Sequence, residues 1–406
     1  MNDHEYASQA PTLDPVPTLD SAPTSVLFVM SVAERRGGAE RMLWLLLREH
    51  DRSVIAPAVV FLCDGPFVAE TRALGIPAAV IDAGRMRQAG HGARSIGALA
   101  RLILGRRPDV IFSWTGKAHF YVGPAAMLAR RSASTGWWLH DIPSFTWVDH
   151  ATQAIPAAVV GSSSAIGAQT LARLRPRRST FVVRPGVDDF IEQGREDRRA
   201  AARARLGVEP HEVLVALIGR FHPQKGQDRF VDALKLLNAS GTPVRGLLVG
   251  GVAHGQRAPY ETQVMRQIQQ LGLGQAITRI EHVDQPWEYL LAADVYVNAR
   301  ARENLSLGIL EAACAARAIV APRTGGTPEI LEDGVTGLLV DSPDPDSLAA
   351  AIGRLIADAP LRERLGRAAR GLYEERFTVS RMVDELQTAM SAHRSWEAPD
   401  RSMPEA

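Results

Sequence analysis

From Ser25 onward the chain alternates two patterns: short runs of consecutive apolar residues, and stretches where apolar residues recur three and four positions apart. The first is the pattern of a strand buried on both faces, the second that of an amphipathic helix. SVLFVMS, Ser25–Ser31, predicts the opening strand; a glycine-bearing loop, Val32–Gly38, follows; and Met42, Leu43, Leu46 and Leu47 mark one face of a helix that starts at Ala39. Further strands are expected at Ala58–Leu62, Ala78–Ile81, Val110–Trp114, Gly136–Leu139, Ala157–Val160 and Phe181–Val183. Glu192–Arg205 is charged and lacks aromatics, so it reads as a linker or surface helix. The cycle then restarts with a strand at Val213–Ile218, a loop at Gly219–Gly226 and a helix at Asp228–Leu237 capped by its aspartate. Strands at Gly246–Val249, Ile277–Ile280, Val295–Asn298, Ala318–Ala321 and Gly337–Val340 follow, with helices near Tyr260–Leu271, Leu307–Ala315 and Asp346–Ala357. A last amphipathic stretch, Val379–Ser391, places Met382, Leu386 and Met390 on one face, which needs an already folded surface to cover it.

Strands alternating with helices predict an α/β fold of two doubly wound Rossmann-like domains facing a central cleft. The expected division is a disordered tail at 1–24, a first domain at 25–190, a linker at 191–207, a second domain at 208–378, and a docking helix with a tail at 379–406. Open parallel sheets bind ligands beyond the carboxyl ends of their strands, so chemistry is sought on the loops that follow strands.

Composition narrows the function classes. The chain has 406 residues, 46% hydrophobic and 22% charged, which suits folded domains rather than disorder. Apolar runs such as Val54–Leu62 are too short to cross a bilayer. The first 24 residues hold four acids, four prolines and no lysine or arginine, unlike a secretory leader. The two cysteines, Cys63 and Cys314, lie in opposite halves, so neither a disulfide nor a structural zinc site is expected, and a cytoplasmic setting fits. A net charge of +1 conceals an uneven spread: 20 basic against 12 acidic residues over 25–190, and 21 against 26 over 208–406.

Several strand-end loops carry candidate chemistry. In GRFHPQKG, Gly219–Gly226, Arg220 can bind two phosphate oxygens through its planar fork and Lys225 adds a point charge, a pair suited to a diphosphate. Lys225 is one of only three lysines against 43 arginines. The Gly-x-Lys-Ser/Thr spacing of a P-loop is missing. In the stretch Asn298–Glu311, backbone amides near Leu305–Gly308 can receive an anion at a helix start, while Glu303 and Glu311 can accept hydrogen bonds from sugar hydroxyls. Gly325-Gly326-Thr327-Pro328-Glu329 has turn chemistry with close backbone approach, and Gly37-Gly38 precedes the first helix as an anion- or acceptor-contacting loop. His140 ends a strand facing the presumed cleft. No GxGxxG fingerprint, ordered Ser–His–Asp set or HExxH occurs, which disfavours nicotinamide dehydrogenases, hydrolases and metalloenzymes.

These motifs resemble those of retaining, GT-B-fold glycosyltransferases of the family-4 type. The resemblance runs from Ser25 to about Ser391 and rests most on Glu303 to Glu311 with the following EAACAARAIVAPRTGGTPEILEDGVTGLLV, on GRFHPQKG, on GGAER and on VVRPGVDDF. It implies a first domain that holds the acceptor and a second that binds a nucleotide-sugar donor, a UDP- or GDP-sugar, without metal or other cofactor. Donor-binding residues would be Arg220, Lys225, Glu303, Asn304, Leu305, Ser306 and Glu311, with Glu303 on the sugar and Glu311 on the ribose. His140, Arg220, Lys225 and Glu303 would be catalytic, and Gly37 and Gly38 would lie on the acceptor side. Asn304-Leu305 stands where many members have glycine and an aromatic, and His282 where glycine is common, so the sugar and base pockets are this chain's own. The alternatives are a non-catalytic two-domain ligand-binding protein, or a sugar-nucleotide epimerase or sugar phosphorylase on the same fold. Basic clusters at Arg35–Arg36, Arg85–Arg87, Arg106–Arg107 and Arg173–Arg178 suit an anionic membrane surface, with a glycan, lipid-linked or small-molecule acceptor at the inner membrane face. Their dispersal and lack of interleaved aromatics argue against nucleic acid.

Overall fold

The structure, a computed structural model, describes residues 22–35, 37–84, 89–143, 146–174, 179–191, 195–251, 259–283 and 286–392. Most of the expected N-terminal tail, the C-terminal tail beyond 392, Arg36, the Arg85–Arg87 pair and residues 175–178 lie outside the described residues.

Thirteen strands form two sheets among the described residues. The first contains β1 (Thr24–Met30), β2 (Ile55–Phe61), β3 (Ala78–Val80), β4 (Val110–Ser113), β5 (Thr135–Leu139), β6 (Val159–Ser162) and β7 (Ser179–Val182), in the order β3-β2-β1-β4-β5-β6-β7. The second contains β8 (Leu214–Ile218), β9 (Arg245–Val249), β10 (Ile277–Ile280), β11 (Val295–Val297), β12 (Ala318–Pro322) and β13 (Leu338–Val340), in the order β10-β9-β8-β11-β12-β13. All pairings are parallel, as in Val26↔Val110 and Val215↔Gly246. Helices cover both faces of each sheet, so strands such as β4 and β12 are buried along their whole length. The strand order reverses between β1 and β4 and between β8 and β11, which opens a crevice at each sheet's carboxyl edge. This is the GT-B architecture: α/β, with two Rossmann-like lobes.

Some elements differ from expectation. β2 begins at Ile55, three residues early, although Pro57 cannot donate to a ladder. Val59 sends its amide toward β3, to the Pro77 carbonyl, and Pro57, two residues before it, faces the same way where β3 has not yet started. The helix Gln227–Ala239 is capped not by Asp228 but by Gly226, with φ 72°; the Asp228 carboxylate instead accepts from the Tyr260 hydroxyl at 2.8 Å. The helix Ala359–Arg376 was not anticipated, because its sequence APLRERLGRAARGLYEER hides a narrow stripe of Leu361, Leu365, Ala369 and Tyr373 among charges.

Two chain segments tie the lobes together. The stretch after β7 bridges back through Val187 to Thr378, and a Cβ on Gly186 would overlap the Thr378 backbone. The terminal helix Val379–Ser391 then leaves the second lobe and buries Val379, Met382, Val383, Leu386 and Met390 in the first lobe's core, beside Met42 and Leu46.

Candidate active site

The carboxyl edges of the two sheets meet across a crevice. Among the described residues, three segments of the second lobe reach it: Gly219–Gly226 after β8, Asn298–Ser306 after β11 with the helix Leu307–Cys314, and the turn after β12. Gly226 sits where a Cβ would overlap the Ala299 carbonyl, so the first two segments can approach only because that position lacks a side chain. Their approach sets Lys225 Nζ 3.8 Å from Glu303 Oε2.

Glu303 is 6% exposed, and its Oε1 accepts from Arg300 Nη1 at 2.6 Å. Its second oxygen, Oε2, is buried and has no hydrogen-bond donor among the described residues. An ionised carboxylate oxygen left in that state is expensive. Burial lowers the pKa of Lys225, opposed by the nearby Glu303 charge. Arg220 is exposed, while its carbonyl accepts from Gln227 Nε2 at 2.8 Å. The helix Leu307–Cys314 starts at Ser306 with no side-chain cap, and Gly308 lets Tyr296 lie against its first turn. The Tyr296 phenol is pushed up by burial, with the Glu311 and Glu303 charges adding to it. Uncapped amides, a lysine and a carboxylate oxygen that accepts no hydrogen bond among the described residues thus converge on one small volume, a pattern that can hold an anion and a hydroxyl together.

From the first lobe, His140 donates from Nε2 to the Trp114 carbonyl at 2.7 Å, and burial pushes its pKa down to about 4. The imidazole is therefore neutral at pH 7. Its own carbonyl accepts from Asn304 Nδ2 at 3.2 Å. Asn304 also donates to the Leu139 carbonyl at 3.3 Å and accepts from the Ser164 hydroxyl. The side chain expected on the donor side thus spends its polar atoms on the first lobe. Leu305 packs into the apolar core beneath the helix. Gly325, with φ 56°, and Gly326 lie so close to the Glu303 and Asn304 carbonyls that a Cβ on either would overlap them. Glu329 crosses the crevice to accept from the Ala165 and Ile166 amides at 3.0 and 3.1 Å and to pair with Arg184 at 3.2 Å. The TGGTPE turn therefore joins the lobes. Gly38, expected on the acceptor side, packs toward Leu307, where an added Cβ would come within 3.0 Å of Cδ1; Gly37 is the N-cap of the first helix, Gly38–Glu49.

Sequence reasoning missed three arginines and one carboxyl group. Arg300 holds Glu303, Arg302 donates to the carbonyls of Ile142 and Pro143, and Arg41 forms an ion pair with the buried Glu311. Glu40 has a carboxyl raised by burial despite the nearby Arg220, and its Oε2 accepts no hydrogen bond among the described residues. Arg41 and Glu40 lie inside the GGAER motif, so their place was marked but not their partners. Among the described residues no group of three or more histidine, cysteine, aspartate or glutamate side chains is clustered to hold a metal ion.

Residues 198–372, which contain every second-lobe residue of this site, match the family described as glycosyl transferases group 1. The second lobe is a glycosyl transferases group 1 domain. The chain is 36% identical over 225 residues to a D-inositol 3-phosphate glycosyltransferase of Geodermatophilus obscurus, covering 53% of this chain and 48% of that one. It is 33% identical over 195 residues to the GDP-mannose-dependent alpha-(1-6)-phosphatidylinositol monomannoside mannosyltransferase of Mycolicibacterium smegmatis, covering 46% and 49%. The chain thus spans about half the length of the curated relatives it matches. Across both lobes it superposes on Anabaena HepE, solved with UDP-glucose, at a TM-score of 0.78 and 24% identity over 91% of this chain and 99% of that one. It also superposes on the sucrose-phosphate synthase of Thermosynechococcus elongatus at 0.77 and 19% identity, over 91% and 99%. These two likenesses concern the fold around the group 1 domain.

Proposed function

We propose that the protein is a retaining glycosyltransferase that moves a hexosyl unit from a UDP- or GDP-sugar to an acceptor held by the first lobe. The observation that carries this reading is the buried Glu303 Oε2, which accepts no hydrogen bond among the described residues and faces Lys225 Nζ at 3.8 Å, at the uncapped start of the helix Leu307–Cys314. An acceptor oxygen there suits a sugar hydroxyl, and the cations and amides suit a diphosphate. The group 1 match, the GDP-mannose dependence named for one relative and the UDP-glucose bound to HepE support a nucleotide-sugar donor.

In this reading the bond from the anomeric carbon to the diphosphate oxygen breaks while the acceptor oxygen bonds to the same face of that carbon. The acceptor proton passes to the departing phosphate. Arg220, Lys225 and the helix-start amides stabilise the charge that develops on the leaving group. Neutral His140 lines the sugar side, and Glu311 receives the ribose. The acceptor is a glycan, lipid-linked or small molecule. A lipid-linked one would suit the first lobe's charge, since residues 83–140 contain nine basic residues and one acid, Asp109. No described helix is long and apolar enough to cross a membrane, so attachment would be peripheral and electrostatic.

A panel of UDP- and GDP-sugars tests the donor by slow hydrolysis and by transfer. The expected result is nucleoside diphosphate released in step with glycoside, whereas an epimerase or a binding protein would release none. Lys225→Ala should lower kcat/KM by about 10²-fold or more. Glu303→Gln should reduce turnover far more than it weakens nucleoside diphosphate binding. Wild-type rates in both variants, with the fold intact, would remove these residues from the reaction. Cosedimentation with anionic and neutral liposomes across a salt series tests the membrane face.

A further inference from the structure

Glu311 is 8% exposed in an otherwise apolar helix, so its charge needs a partner. The groups facing it come from four places: Arg41 on the first lobe's opening helix, Lys225 after β8, Asp188 after β7, and the Tyr296 phenol on β11. Among the described residues only Arg41 is hydrogen-bonded to it, with Nη1 donating to Oε1. Asp188 is neutralised by Arg48, two turns further along the same helix as Arg41. That helix therefore presents Gly38, Arg41 and Arg48 along one side, and the first two of these meet the helix Leu307–Cys314. The Arg41 guanidinium also sits 5.7 Å from the centre of the Trp287 ring, which stacks on Phe190 at 5.2 Å and 6°. It is thus held on two sides, while its Nη2 is buried without a partner among the described residues.

We propose that Arg41 is a positioning residue for nucleotide binding: reaching over from the first lobe, it fixes the Glu311 carboxylate for a ribose diol, so the nucleotide pocket of the second lobe is complete only when both lobes contribute. This rests on the reading of the second lobe as a nucleotide-sugar site. The carboxylate has two oxygens, and Arg41 bonds Oε1, while among the described residues no hydrogen bond is made to the other. Burial raises the Glu311 carboxyl and Arg41 opposes that rise, so without Arg41 the carboxyl takes up a proton at a higher pH. A lysine keeps the charge but lacks the planar fork that bonds Glu311 while lying over the indole.

Calorimetry with UDP and GDP between pH 5.5 and 8 tests this on the wild type, Arg41→Gln, Arg41→Lys, Glu311→Gln and the double variant Arg41→Gln/Glu311→Gln. Affinities are expressed relative to wild type at each pH, which cancels the titration of the phosphate itself. Arg41→Gln should lose about tenfold or more, the size expected when a hydrogen bond to a charged group is removed, and the loss should deepen as the pH falls. Arg41→Lys should recover part of it. The double variant should bind no worse than Glu311→Gln alone. Wild-type affinity in Arg41→Gln at every pH, or losses that add in the double variant, would overturn the role of Arg41 while the donor site stands. Wild-type affinity in Glu311→Gln would instead overturn the assignment of the nucleotide pocket. Should Arg41→Gln not fold, Arg41→Lys decides: a loss relative to wild type supports the role, and unchanged affinity at all pH values refutes it.

Discussion

His140 shows how a single side chain couples the site to pH. Its imidazole lies against Trp114 and Trp138 and donates to the Trp114 carbonyl, so the folded chain accepts a second ring proton only near pH 4. The unfolded chain does so near 6.5. Above 6.5 both states are neutral and this group adds nothing to the pH dependence. As pH falls from 6.5 toward 4 the unfolded state binds more protons and stability is lost, amounting to about 2 kcal/mol by pH 5. His140→Gln should therefore flatten the change in urea midpoint between pH 7 and pH 5 by a corresponding amount. An unchanged slope would place the titrating group elsewhere. At this scale the residue types of the site were legible: Lys225 stood out by rarity, Glu303 and Glu311 as acceptors flanking a helix start that can receive an anion, and His140 by its place at a strand end. Their partners were not legible, because Arg41 meets Glu311 across 270 positions of sequence and Asn304 meets His140 across 164.

Between the lobes, the helix Arg195–Arg205 turns what reads as a polar linker into a clamp. Arg199 donates to the carbonyls of Leu291 and Ala293, and pairs with Asp294 at 2.6 Å; Arg203 pairs with the other Asp294 oxygen at 2.9 Å. That oxygen also accepts from the Leu214 amide at 2.8 Å, which anchors the start of β8. The three groups are mostly buried, so removing the shared anion strands two guanidiniums. Asp294→Ala should cost roughly 3 kcal/mol, read as a fall in the midpoint of second-lobe unfolding. A change below about 0.5 kcal/mol, the usual range for surface positions, would mean that the clamp is solvated. Charge-rich sequence conceals this role because helical periodicity counts apolar residues, and the buried stripe here is made of Ala202 and arginine stems.

Across the whole molecule, the chain ends by stabilising its own beginning. Leu386 and Met390 are fully buried in the core of the first lobe, more than 300 positions from Met42 and Leu46 in the same cluster. Leu386→Ala should destabilise the first lobe by about 2–5 kcal/mol. Limited proteolysis should then cut within 25–190 before the second lobe is attacked, and the opposite order would show that the terminal helix is dispensable there. Strand and helix alternation, the doubly wound class and the loops that face the crevice were determined by the sequence alone, because a short continuous apolar run, a period of 3.6 residues and a glycine at a turn are local properties that need no partner. Only the tertiary structure decided which guanidinium neutralises which buried carboxylate, that TGGTPE and Asn304 join the lobes, and that one buried Glu303 oxygen faces Lys225 without a hydrogen-bond donor among the described residues. Those outcomes depend on which distant groups the two sheets bring within a few ångströms, and electrostatic pairing in a buried crevice is set by that distance rather than by spacing along the chain.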